Sequence, residues 1–293
     1  MSKKIVGLQI ASLVLAGVLA LTGCGGAQQP AAPAPGANAP AGKVSGQITA
    51  SGSTALLPLV QAAKEQFENA NENATVNVSG GGSFTGLTQV ANGSAQIGNS
   101  DVVATGETAQ GLVDHKVAVA PFVIIANKDV TTQNLTMDQL AKILRGEISN
   151  WKDVGGKDEK ITIVSRPQSS GSRATIVATV LKNQGDIPAS ALNQDSNGKV
   201  MDTVTSTPGA IGYVDAAYYS AAKVNAIAVD GVAYTPDAVK SGKYTIFAFE
   251  HMYTKGEPTG VAKAFLDFIM SADFQNNTVT KLGFLPVTGV PAK

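Results

Sequence analysis

Ser165-Arg166-Pro167-Gln168-Ser169-Ser170-Gly171-Ser172-Arg173 stands between two runs of different character. Before it, Ile161-Thr162-Ile163-Val164 reads as a strand; after it, Ala174-Thr175-Ile176-Val177-Ala178-Thr179-Val180-Leu181 reads as a helix despite its β-branched residues. The stretch is therefore a strand-to-helix turn carrying Arg166 and a series of small hydroxyl residues. The first turn of a helix has N–H groups without intrahelical partners, and Ser or Thr caps them. Those N–H groups and the helix dipole suit an anion. Arg166 adds a planar cation that can grip an oxyanion through paired hydrogen bonds. Taken alone, the stretch is better read as a capped helix beside a surface arginine.

Repetition changes that balance. Ser51-Gly52-Ser53-Thr54 follows the short strand Gln47-Ile48-Thr49-Ala50 and opens a helix in which Leu56, Leu59, Val60, Ala63 and Phe67 share one face. Pro58 fits only near the first turn, which fixes where that helix starts. Gly80-Gly81-Gly82-Ser83 follows the strand Thr75-Val76-Asn77-Val78 and opens a helix over Phe84 to Asn92. Glycine there lets a ligand approach the backbone closely. Together the Ser/Gly-rich turns suggest an oxyanion pocket made of neutral dipoles and one arginine.

A fourth piece is Ile97-Gly98-Asn99-Ser100-Asp101-Val102. A carboxylate beside an anion makes sense when the anion carries a proton for it to accept. Fully ionised sulfate has no proton to give, so Asp101 would repel it. The other reading makes Asp101 an N-cap before Val102-Val103-Ala104.

This set of motifs resembles the phosphate-binding proteins that feed ABC phosphate importers. The resemblance is carried by Ser53-Thr54-Ala55, Gly82-Ser83, Ser100-Asp101 and Arg166-x-x-x-Ser170-Gly171-Ser172. It extends through Leu135-Thr136-Met137-Asp138-Gln139-Leu140, Asn150-Trp151-Lys152-Asp153-Val154-Gly155-Gly156 and Pro208-Gly209-Ala210-Ile211-Gly212-Tyr213-Val214. It implies an α/β, two-lobed periplasmic-binding-protein type II fold, each lobe a mixed sheet flanked by helices, with the ligand cleft between them. It implies further that Thr54, Ala55, Ser83, Asp101, Arg166, Ser170, Gly171 and Ser172 contact inorganic phosphate, which an ABC permease then receives. The family usually has Thr where Ser172 stands, and some members have an acidic residue where Gln168 stands.

The N-terminus is a leader and a tether. Lys3-Lys4 precedes an apolar run from Ile5 to Leu21, and Leu21-Thr22-Gly23-Cys24 follows, so residues 1–23 read as a secretory signal peptide. Cys24 is the only cysteine and has no disulfide partner. Its position resembles a bacterial lipobox, which implies acylation of Cys24 and anchoring to the cell membrane; a free thiol or an uncleaved anchor helix are the other readings. Residues 24–43, with Pro30, Pro33, Pro35 and Pro40, form a Pro/Ala/Gly-rich tether. Every one of these readings puts the rest of the chain outside the cytoplasm.

Composition excludes several classes. Removing Lys3 and Lys4 with the leader leaves 20 basic residues against 22 acidic ones, a net charge of about −2. Such a chain lacks the basic footprint of a nucleic-acid binder. A Ser-His-Asp enzyme needs a histidine, and the only two, His115 and His251, sit in no recognisable motif. The sequence has no G-x-S-x-G elbow and no Walker A motif, and no His/carboxylate cluster for a metallophosphatase. We therefore expect no enzyme and no cofactor, and a monomer.

The strand–helix units over about 44–293 predict two lobes of ordinary domain size. Val117 to Asn127 reads as a buried strand making the first crossing, with Pro121 interrupting its ladder. Tyr244 to Glu250 makes the return, which gives 44–123 with 246–293 as lobe I and 124–245 as lobe II. Thr136 should cap a helix burying Leu140, Ile143 and Leu144, and Trp151 should plug a core edge. Tyr213, Tyr218 and Tyr219 read as packing residues. Turns at Ser51, Gly80 and Ser100 would face the Arg166 turn across the cleft. Binding of sulfate, molybdate or tungstate on the same fold is the alternative; Asp101 argues against it.

Overall fold

The computed structural model describes residues 44–291. The signal peptide, Cys24 and the tether lie outside the described residues. Three parallel strands begin the chain: β1 (Gly46–Gly52), β2 (Ala74–Ser79) and β3 (Ile97–Ser100). Between them run α1 (Leu57–Ala70) and α2 (Ser83–Asn92). Pro58 falls in the first turn of α1, and Leu59, Val60, Ala63 and Phe67 are its buried face, as the 3.6-residue period requires. Residues 102–104 form no helix, so Asp101 caps none.

The longest strand, β4 (Leu112–Ala126), organises the rest. Its first part pairs antiparallel with the returning strand up to Pro121, and its second part pairs antiparallel with a different strand from Phe122 onward. Pro121 thus marks the change of partner and does not interrupt the strand. Phe122 N donates to Ile246 O at 2.9 Å and Phe122 O accepts from Tyr244 Oη at 2.7 Å, which holds the switch in place.

Beyond β4 come β5 (Asn134–Leu135), α3 (Met137–Leu144), β6 (Thr162–Ser165), α4 (Gly171–Thr179), β7 (Leu192–Asn193) and α5 (Asn197–Ser206). They are followed by β8 (Ala210–Asp215), β9 (Asn225–Ala226), β10 (Ala228–Val229), α6 (Pro236–Lys240), β11 (Phe247–Lys255) and α7 (Gly260–Ile269). Thr136 and Gln139 make a reciprocal capping box on α3, and Leu140, Ile143 and Leu144 are buried beneath it. Trp151 is buried and donates its Nε1–H to Gly209 O at 2.9 Å.

Among the described residues a nine-stranded mixed sheet runs β2-β1-β3-β11-β4-β8-β6-β7, with β9 beside β4. α1 and α7 cover one end of it, where Phe67 and Phe265 meet edge to face at 5.3 Å. Separate clusters form around α3 and under α5. Leu285 returns near the chain's end to bridge Val119 on β4. The parallel strands β1, β2 and β6 each lead directly into a helix, and β3 leads into Asp101. In open α/β sheets such strand ends are where ligands bind.

Candidate anion-binding site

The turn after β1 opens the site. Ser53 Oγ accepts from Ala55 N at 3.0 Å and Leu56 N at 3.1 Å, a local hydroxyl turn that starts α1. Ala55 is buried and its N–H is engaged by Ser53, whereas Thr54 turns outward from this motif. Thr54 Oγ1 accepts from Asn197 Nδ2 at 3.2 Å, and Thr54 O accepts from Tyr218 Oη at 2.7 Å. Both partners come from the other end of the sheet.

The turn after β2 supplies Ser83, the first residue of α2. Its hydroxyl donates to Asp101 Oδ1 at 3.2 Å and accepts from Asp101 N at 3.0 Å. The turn after β6 supplies Ser170, Gly171 and Ser172. Ser170 caps α4, accepting from Arg173 N at 3.2 Å. Ser172 Oγ donates to the second Asp101 oxygen, Oδ2, at 2.8 Å. Gly171 packs so closely that a Cβ there would collide with Ser83 Oγ and come within 2.9 Å of Asp101 Cβ. Phe84 N donates to Ser169 O at 3.1 Å, so the α2 and α4 turns also meet through backbone.

Arg166 is held in one orientation by carbonyls. Its Nε donates to Gln194 O at 2.9 Å and its Nη2 to Asp195 O at 3.0 Å. These carbonyls orient the guanidinium without neutralising its charge. Arg173 steadies the loop by donating to Arg166 O at 3.2 Å and to Asp186 Oδ1 at 2.7 Å. The remaining terminal nitrogen of Arg166, Nη1, is buried with no protein partner. Burial lowers the Arg166 pKa and the nearby Asp101 opposes that shift; a guanidinium stays charged regardless. A buried cation with an unused donor requires an acceptor that the protein itself does not provide.

The structure thus joins Ser83, Asp101 and Ser172 directly. It places Thr54 next to Ser172 through Asn197, whose Nδ2 also lies 3.4 Å from Ser172 Oγ. Sequence reasoning missed Asn197, and took Tyr218 for packing when its hydroxyl reaches the Thr54 turn. It also missed Asp215, which caps the turn after β8 by accepting from Ala217 N at 2.8 Å, and Glu250 on β11. Burial pushes both carboxyls well above the usual range. Glu250 had left a signal: it is a charged residue ending the largely apolar run Tyr244 to Phe249 read as the return crossing. Asn197 left none, because Ser196 already accounts for that helix start.

A mixed α/β frame whose strand ends converge on a buried arginine, an aspartate and several hydroxyls defines a solute-binding protein for a small oxyanion. Residues 37–273 match the PBP superfamily domain. The chain is 48% identical to phosphate-binding protein PstS of Bacillus subtilis, over 84% of this chain and 82% of that one. A phosphate ABC transporter substrate-binding protein from Clostridium perfringens, solved with bound phosphate, is 30% identical; the likeness covers 83% of this chain and 100% of that one, with a TM-score of 0.78. An ABC-type phosphate transport receptor from Vibrio cholerae is 27% identical, covering 81% and 99%, with a TM-score of 0.68. The chain belongs to the PBP superfamily and, within it, to the phosphate-binding proteins.

Proposed function

We propose that this protein captures inorganic phosphate outside the cytoplasm, between lobe I (44–123 with 246–293) and lobe II (124–245), and delivers it to an ABC-type membrane permease. The observation that carries the reading is Arg166 Nη1, a buried donor left open beside Asp101. Phosphate oxygens would take Arg166 and the hydroxyls of Thr54, Ser83 and Ser172. The unpartnered first-turn N–H groups of α4, at Gly171 and Ser172, would add backbone donors, with Ser170 fixing the turn and Ala55 bordering it. Asp101 would accept the proton that phosphate carries and sulfate lacks. The ligand would bridge the lobes and favour the closed arrangement through its extra contacts there.

The relatives support binding and not catalysis. His251 Nδ1 lies 2.8 Å from Asp114 Oδ1, yet Ser100, opposite His251 across the β3–β11 pair, donates its hydroxyl to Val102 O at 2.7 Å. That arrangement provides no activated nucleophile. Lipidation of Cys24, anchoring to the cell membrane, and a monomeric state complete the proposal. Among the described residues no helix is long and apolar enough to cross a membrane.

Equilibrium dialysis with labelled phosphate, alone and against excess sulfate, tests this reading. Retention of phosphate that sulfate does not displace is expected. Displacement by sulfate, molybdate or tungstate would reassign the ligand, and no retention would overturn the function.

A further inference from the structure

One buried acid takes no part in the contacts described above. β11 runs antiparallel to β3, with Tyr253 opposite Gly98, Met252 opposite Asn99 and His251 opposite Ser100. Continuing this register by one residue sets Glu250 opposite Asp101. Directly opposite residues have Cβ atoms about 4.5–5.5 Å apart, and like charges so placed are destabilising. Glu250 is completely buried, and neither carboxyl oxygen meets an N–H or O–H donor. Its carboxyl faces that of Asp101, and the other charged group acting on it is Asp215, again an acid. On its second side Glu250 pairs with Ala118 of β4, just before the ladder shifts between Glu250 and His251.

An ionised carboxylate cannot sit in such surroundings without a large penalty. A proton on Glu250 turns the repulsion into an O–H···O hydrogen bond, among the stronger kinds when the acceptor is charged. Asp101 accepts from Ser83 through one oxygen and from Ser172 through the other. A third donor, from the strand behind, would fix the rotation of its carboxyl group.

We propose that Glu250 is a positioning residue for anion selection: as a neutral carboxylic acid on β11 it donates its proton to Asp101 and holds that side chain as an acceptor toward the anion site. It acts through Asp101 and touches no ligand. This rests on the reading of Asp101 as acceptor of the phosphate proton. Its consequence is that discrimination between phosphate and sulfate depends on a residue outside the ligand's contact shell.

The test compares Glu250→Gln, which keeps a donor of similar shape, with Glu250→Met, which keeps the bulk and removes the donor. Phosphate and sulfate binding are measured by dialysis at mildly acidic and mildly alkaline pH. Glu250→Met should weaken phosphate binding about tenfold or more, as loss of a hydrogen bond to a charged group does, and narrow the phosphate-to-sulfate ratio. Glu250→Gln should restore both to within a few-fold of the wild type. Wild-type affinity and selectivity in a folded Glu250→Met protein would overturn the proposal, and so would equal damage from both variants. Infrared difference spectroscopy of wild type minus Glu250→Gln at neutral pH should show the carbonyl stretch of a protonated acid, and its absence would also overturn the proposal. That band reads the proton without any ligand and without Glu250→Met. A wild-type protein that has the band but binds no phosphate would therefore count against the function and not against the Glu250–Asp101 hydrogen bond.

Discussion

Ser172 Oγ donates to Asp101 Oδ2 at 2.8 Å, joining two residues 71 positions apart. One belongs to the first turn of α4, after β6, and the other follows β3, so the contact links strand ends from either side of the central β11–β4 pair at the anion site. Here the hydroxyl that would serve a ligand is held ready by the carboxylate that would accept the ligand's proton.

Ser172→Ala removes that donor without altering the cap at Ser170. Phosphate affinity should fall about 10- to 100-fold, because a hydrogen bond to a charged group contributes roughly 1.5–3 kcal/mol. Ser172→Thr should bind like the wild type, since the hydroxyl is kept. Dialysis of both variants checks this.

Arg166→Ala should abolish phosphate binding at concentrations that saturate the wild type. Arg166→Lys should also bind poorly, although it keeps the charge. A lysine cannot reproduce the fork that donates from Nε to Gln194 O and from Nη2 to Asp195 O while leaving Nη1 free. Titration of the two variants side by side separates charge from geometry.

Gly171→Ala should impair binding more than folding. The added methyl would meet Ser83 Oγ and Asp101 Cβ, so the α4 turn must withdraw from the α2 turn. Because α4 keeps its cap, the melting temperature should drop by only a few degrees while phosphate affinity falls. A melt and a binding isotherm on one preparation decide it.

Glu250 also makes a prediction about stability and pH. Its folded pKa is raised well above the ordinary 4.5, so between 4.5 and the raised value the folded chain binds more protons than the unfolded one. The stability contributed by Glu250 therefore falls as pH rises through that window. Glu250→Gln removes this titration, and its melting temperature relative to wild type should climb as pH increases from acid to neutral. A difference independent of pH would contradict the assignment.

The turns were legible because their chemistry is local. Ser53, Ser83 and Ser170-Gly171-Ser172 each follow an apolar run and open a helix, and the structure places them all at strand ends. Pro58 and Thr136 marked helix starts for equally local reasons. Pro121 was legible as the end of a ladder because it lacks an N–H, and the β4–β11 ladder stops there; that the same strand goes on with β8 as a new partner was not legible. Asn197 and Tyr218 were hidden because their roles exist only across the sheet: both reach Thr54, and Asn197 is 143 residues from it. Glu250 became meaningful only with the β3–β11 register, which no local pattern contains.

The most direct measurement is calorimetric titration of the ligand-stripped wild type and of Asp101→Asn with phosphate and with sulfate at neutral pH. The account predicts saturable heat for the wild type with phosphate alone, and weakened phosphate binding with measurable sulfate binding for Asp101→Asn. A wild type that takes sulfate as tightly as phosphate, or an Asp101→Asn protein that discriminates as well as the wild type, would contradict it.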